Sequence, residues 1–137
     1  MKQYKIRTIY DFDKKIDVTK TKDGFKIILD TNNIVFANPI ETYLACIAAC
    51  EKAFINTYAK EQKIKIESLI ITINASRDPG SNKYVGMKDF KFEYDITADC
   101  THEQMSTIIE KTIEKCPIYQ TIDKSVNILH ELNFIQK

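Results

Sequence analysis

Glycine and proline are scarce, three of each, so the chain is no collagen-like or low-complexity polymer and has few enforced turns. Histidine occurs twice, at His102 and His130, far from any cysteine in sequence and at no metal-ligand spacing. Arginine is limited to Arg7 and Arg77. A formal net charge of +1 gives no electrostatic footprint for nucleic acid or an anionic membrane surface. Long apolar runs are missing too. The most apolar stretch, YLACIAAC, is far too short to span a bilayer, and the charged start MKQYKIRTIYDFDKK has no apolar signal-peptide core. A single soluble, cytoplasmic domain over residues 1–137 is the expectation.

What is present is 44% hydrophobic and 28% charged residues, the balance of a globular domain. Residues 2–10 and 14–21 alternate apolar and polar side chains, Asp23-Gly24 signals a turn, and residues 25–31 give a third strand. These predict an antiparallel meander. A strong helix follows over residues 38–63. Asn38 is its N-cap, Pro39 its first helical residue and Glu41 the return partner of a capping box. Its first half is apolar on most sides, with small Ala45, Ala48 and Ala49, so it is expected to be buried or packed against a twin. Residues 64–76 are apolar on both faces and predict a central strand. After the turn DPGSN, residues 88–99 alternate cleanly between one buried face and one wet face. A second helix is predicted from the N-cap Thr101, boxed by Gln104, to Cys116, where Pro117 disfavours helical backbone. A short helix over 117–124 and a closing strand over 125–132 complete an α+β fold with a mainly antiparallel sheet.

Four cysteines without a secretion signal argue against a structural disulfide framework. Inert buried thiols, a metal site and redox chemistry remain open. Cys50 shares its helix face with Tyr43, Cys46, Ile47 and Phe54. Burial there raises a thiol pKa, and reactivity needs a cation, a hydrogen-bond donor or a helix N-terminus nearby. Cys46, one turn away, reads as core, and Cys100 as incidental. Cys116 stands at the helix break, where the amides of the next short helix favour a thiolate. Nothing in the spacing shows that Cys50 and Cys116 meet.

The stretch NPIETYLACIAACE, with its Asn-Pro start, glutamate, small-residue apolar run and cysteine, resembles the central-helix motif of the OsmC/Ohr family of thiol-dependent peroxidases. KCPIYQT resembles that family's second motif, Cys-Pro before an apolar residue. Both occur in the family's order and spacing. The resemblance covers nearly the whole chain. It implies an entwined homodimer with long central helices and active sites at the subunit interface. It also implies reduction of organic hydroperoxides or hydrogen peroxide without a cofactor, in oxidative-stress defence. By this carry-over Cys50 attacks the O–O bond and becomes a sulfenic acid. Cys116 resolves it as a disulfide, and a dithiol reductant reopens that disulfide.

The chain departs from the best-studied branch, which has a glycine-rich turn with an essential arginine. The corresponding turn, YDFDKK, has neither. Arg7, on the polar phase of the first strand, is the candidate replacement, with Lys14 or Lys15 as alternative cations lacking the planar fork. Glu41 lies nine positions before Cys50, about 180° around an ideal helix and roughly 13 Å along it. It therefore serves either as a capping residue or at a site across a dimer interface. Its position fits general OsmC-like members, since the Ohr branch carries its glutamate where Ile40 stands. Tyr43, Ile47 and Phe54 are candidates to line a pocket for a peroxide tail. A rival reading is a non-catalytic dimeric binding protein for a small apolar ligand, and a thiol metal site is a third.

Overall fold

The computed structural model describes residues 1–137. Nine elements follow the predicted order: β1 (Ile6–Asp11), β2 (Ile16–Thr21), β3 (Lys26–Leu29), α1 (Pro39–Glu61), β4 (Ile66–Arg77), β5 (Met87–Ala98), α2 (His102–Lys115), a single 3-10 turn (Tyr119–Thr121) and β6 (Ile128–Gln136). The short helix expected after Pro117 shrinks to that turn. The chain divides into two compact units, Met1–Ala45 and Cys46–Lys137, with α1 starting in the first.

The first unit holds the meander β1-β2-β3, antiparallel throughout. Its β1–β2 turn is shaped by Asp11, whose carboxylate accepts the backbone N–H groups of Asp13 and Lys14 at 3.0 and 2.9 Å. Gly24 turns the chain between β2 and β3 at φ +88°, where a Cβ would be strained. After β3, buried Asp30 accepts N–H groups of Asn32, Ile34 and Val35 at 2.9, 3.0 and 3.0 Å, folding the connection to α1. The predicted capping box is present. Asn38 Oδ1 accepts the Glu41 N–H at 2.8 Å, and Glu41 Oε1 accepts the Asn38 N–H at 3.2 Å.

In the second unit the sheet order is β4-β5-β6. The expectation that the 64–76 strand is central fails: β5 is in the middle and β4 at the edge. Ile70 of β4 is 57% exposed, and register shifts between Ile66 and Ser68 and between Asn74 and Ser76 bend the edge. β5 pairs antiparallel with β4 but parallel with β6. A parallel neighbour needs a crossover, which α2 supplies. The predicted alternation of β5 holds, with Phe90, Phe92, Tyr94, Ile96 and Ala98 all buried. Against this strand lies a stripe of α1 (Ile47, Glu51, Ile55, Tyr58, Ala59), joined to it by the Tyr94–Glu51 hydrogen bond. α2 adds Met105, Ile108, Ile109 and Thr112 to the core, and its Lys111 ammonium sits 4.2 Å above the Tyr58 ring. The opposite side of α1, with Ala45, Cys46, Ala49 and Ala53, is exposed in the chain. Cys46 is thus not a core residue. The buried stripe runs through positions 47, 51 and 55, and the neighbouring position points about 100° away.

Candidate thiol site

Cys50 is half-buried on α1, whereas Cys116 is 0% exposed. The Thr101–Gln104 box starts α2, with Thr101 Oγ1 accepting the Gln104 N–H at 3.1 Å. Its last bond, from the Cys116 N–H to the Thr112 carbonyl, is 2.8 Å long. Cys116 itself is extended at φ −69°, ψ 112°, as its position before Pro117 requires. The helix break thereby turns the Cys116 thiol inward, within electrostatic reach of the Cys50 thiol. These two cysteines, far apart in sequence, form one pair.

Cys116 is the more tightly held of the two. The Tyr119 N–H donates to its Sγ at 3.5 Å. Tyr119 is fixed in turn by a 2.9 Å hydrogen bond between its hydroxyl and His130 Nε2, and by Phe92, whose ring lies 5.2 Å from Tyr119 and 5.4 Å from His130. Burial lowers the His130 pKa, favouring the neutral imidazole. The amides at Ile118 and Tyr119 pull the Cys116 pKa down, as the helix break suggests. Desolvation and the neighbouring Cys50 thiol outweigh them, and the thiol is pushed up to about 11. Cys116 therefore rests as a protonated thiol, against the expectation of a stabilised thiolate.

A buried carboxyl lies on the same helix as Cys50. Glu51, next to Cys50 in the chain, is 0% exposed, and its Oε2 accepts the Tyr94 hydroxyl at 2.6 Å. Burial lifts its pKa to about 7, the Tyr94 bond pulling the other way. Desolvation foremost, then the Glu51 charge, raises both phenols, Tyr119 to about 12 and Tyr94 still further. Glu51, Tyr94, Tyr119 and His130 escaped the sequence reading. The phase of Glu51, four residues from both Ile47 and Ile55, is the signal that marks it as inward-facing.

Of the other candidates, Ile47 is fully buried core. Half-buried Phe54 borders a shallow apolar recess of about 140 Å³ with Ala53, Thr57 and Tyr58. Tyr43, Glu41 and Arg7 belong to the first unit. Tyr43 is half-buried, Glu41 closes its capping box, and Arg7 is exposed on β1. Cys100 is buried and its pKa raised, mainly by desolvation. No three His, Cys, Asp or Glu side chains converge as a metal site, and no helix is long and apolar enough to cross a membrane.

The family model described as OsmC-like protein matches residues 31–131. The chain belongs to this family. A curated relative, a hydroperoxide reductase of Mycoplasma genitalium, is 28% identical over 131 residues, covering 92% of this chain and 91% of that one. Among solved structures, an OsmC-like protein from Mycoplasma pneumoniae superposes with a TM-score of 0.88 at 21% identity, covering 98% of this chain and 99% of the other. An organic hydroperoxide resistance protein from Elizabethkingia anophelis gives 0.76 at 18% identity, covering 98% of both. These likenesses establish the OsmC-like α+β fold.

Proposed function

We propose that the protein is a two-cysteine peroxidase that reduces organic hydroperoxides, or hydrogen peroxide, in oxidative-stress defence. The observation that carries this reading is the interacting Cys50–Cys116 pair, one thiol half-exposed and the other buried and protonated. The name of the Mycoplasma genitalium relative, hydroperoxide reductase, supports the same chemistry. Cys50 attacks because it is the member of the pair that solvent reaches. As the thiolate, its sulfur bonds to one peroxide oxygen, the O–O bond breaks, and the departing alkoxide takes a proton and leaves as an alcohol. The sulfenic acid formed on Cys50 stands next to Cys116, which displaces its oxygen as water and closes a disulfide. A dithiol reductant then returns both thiols.

The working form in this proposal is a homodimer. Support comes from the uncovered small-residue face of α1 and from the apolar side chains left in the open by the first unit, including Phe12 at 81% exposure and Ile34 at 77%. Arg7 and Glu41 would assist from such a partner.

The reading is tested by treating the reduced protein with one equivalent of an organic hydroperoxide, alkylating it and mapping its peptides by mass spectrometry. A Cys50–Cys116 crosslink formed with release of the alcohol is expected. Consumption of the peroxide without that crosslink, or no consumption at all, refutes the two-cysteine mechanism.

A further inference from the structure

A buried carboxyl on the residue that follows Cys50 is left unused by the fold and by the cysteine roles. Glu51 Oε2 accepts from Tyr94, but Oε1 meets no hydrogen-bond partner. No salt bridge reaches it. For packing alone an apolar side chain would serve better, since an unpaired buried carboxyl opposes folding. Its hydrogen-bond partner is Tyr94 of β5; its charge also reaches Tyr119 of the α2–β6 connection, whose N–H rests on the Cys116 sulfur at 3.5 Å. Tyr94 feels the charges of Glu51, Cys116 and Tyr119, and Tyr119 feels that of Glu51. From β6, His130 reaches this set through Tyr119. Cys50 adjoins Glu51 on α1.

Resting on the peroxidase reading above, we propose that Glu51, oriented by Tyr94, is the proton-holding group for disulfide formation. In that step the Cys116 S–H bond and the S–O bond of the Cys50 sulfenic acid break, and one S–S bond forms. The Cys116 sulfur is oxidised and the sulfenic sulfur reduced, both to the disulfide level. Oε1 receives the Cys116 proton and passes it to the departing hydroxide, which leaves as water. Neither an outside oxidant nor an outside acid is needed. A resting thiol that keeps its proton firmly needs such a base, and a carboxyl balanced between its two forms near neutral pH suits both halves of the transfer.

Single-turnover kinetics test this. A peroxide pulse is followed by rapid acid quench, alkylation and quantitation of sulfenic and disulfide forms, across pH, for wild type, Glu51→Gln and Tyr94→Phe. Glu51→Gln keeps an acceptor for the Tyr94 hydroxyl but cannot exchange a proton. Loss of general acid–base help is expected to slow disulfide closure about 100-fold, and to slow it far more than sulfenic-acid formation. The wild-type rate should show an inflection near pH 7 that Glu51→Gln lacks. Tyr94→Phe removes the bond that holds the Glu51 pKa down, so its inflection should move to higher pH. A purely structural role would not produce that movement. A folded Glu51→Gln protein with the wild-type closure rate and profile overturns this role alone. Should that variant not fold, an unmoved profile in Tyr94→Phe overturns it. A wild type that never forms the Cys50–Cys116 disulfide overturns both this role and the reading beneath it.

Discussion

Substituting Glu51 by glutamine should change how the stability of the fold depends on pH. The carboxyl is fully buried and its pKa stands at about 7, against an ordinary value of 4.5. In that interval the folded state binds a proton that the unfolded chain has released. The proton-linkage slope is then negative, and stability falls as pH rises. The contribution is largest below the unfolded pKa and is lost by the time pH has passed the folded one. At about 1.4 kcal/mol per pKa unit, the loss between about pH 4.5 and 8.5 is about 3 kcal/mol. Glutamine has no proton to lose. The unfolding free energy of wild type minus that of Glu51→Gln should therefore drop by about 3 kcal/mol across that range. Neutral His130, whose folded pKa is depressed, acts in the opposite direction near its own titration. It is present in both proteins and cancels in the difference. Urea titrations at fixed protein concentration and several pH values measure the effect. A difference that stays flat with pH would refute the description of Glu51 as a desolvated carboxyl. Glu51→Gln should also be the more stable protein at the alkaline end.

The cysteine roles predict distinct defects. Cys50→Ser should abolish peroxide consumption even in a single turnover, while Cys116→Ser should complete one turnover and stall with a sulfenic acid on Cys50, detectable by dimedone labelling. Equal defects in the first turnover would reverse or remove that assignment. Sedimentation at micromolar concentration should give a dimer, because the Ala45, Ala49 and Ala53 side of α1 has no cover within the chain; a well-folded monomer would refute this. Mixing a Glu41→Gln chain, which retains the capping box, with a Cys50→Ser chain should restore part of the activity if Glu41 serves a partner's site, since one site of each mixed dimer then carries neither defect. Activity that stays absent in verified mixed dimers would assign Glu41 to capping alone.

Much of the fold was legible because its punctuation is strong. Asn38 with Glu41 and Thr101 with Gln104 marked both helix starts, and Pro117 marked the end of α2. The alternation of residues 88–99 marked a strand with one buried face. The position of β4 was not legible. Apolar side chains on both faces of residues 64–76 match a central strand, and the two register shifts that let β4 occupy an edge leave no such trace. The parallel pairing of β6 was likewise hidden, since alternation reports burial but not strand direction. At the site, the two cysteines were legible only through their motifs, because spacing along a chain does not reveal meeting in space. Their protonation was misread at Cys116, where the favourable amides were visible in the sequence and the complete burial that outweighs them was not.

The parallel β5–β6 pair has a consequence for the growing chain. β5 ends at Ala98, but the strand that completes its far side begins only at Ile128. Until β6 arrives, the unpaired edge of an aromatic-rich strand, carrying Phe90, Phe92 and Tyr94, faces the surroundings without a partner. The same late strand carries His130, the anchor of Tyr119 and, through it, of the N–H group resting on the Cys116 sulfur. During synthesis Cys50 thus precedes by far the scaffold that fixes the second thiol, whereas Cys116 is made only shortly before it. Completion of β6 is the event that anchors Tyr119 beside the Cys116 sulfur.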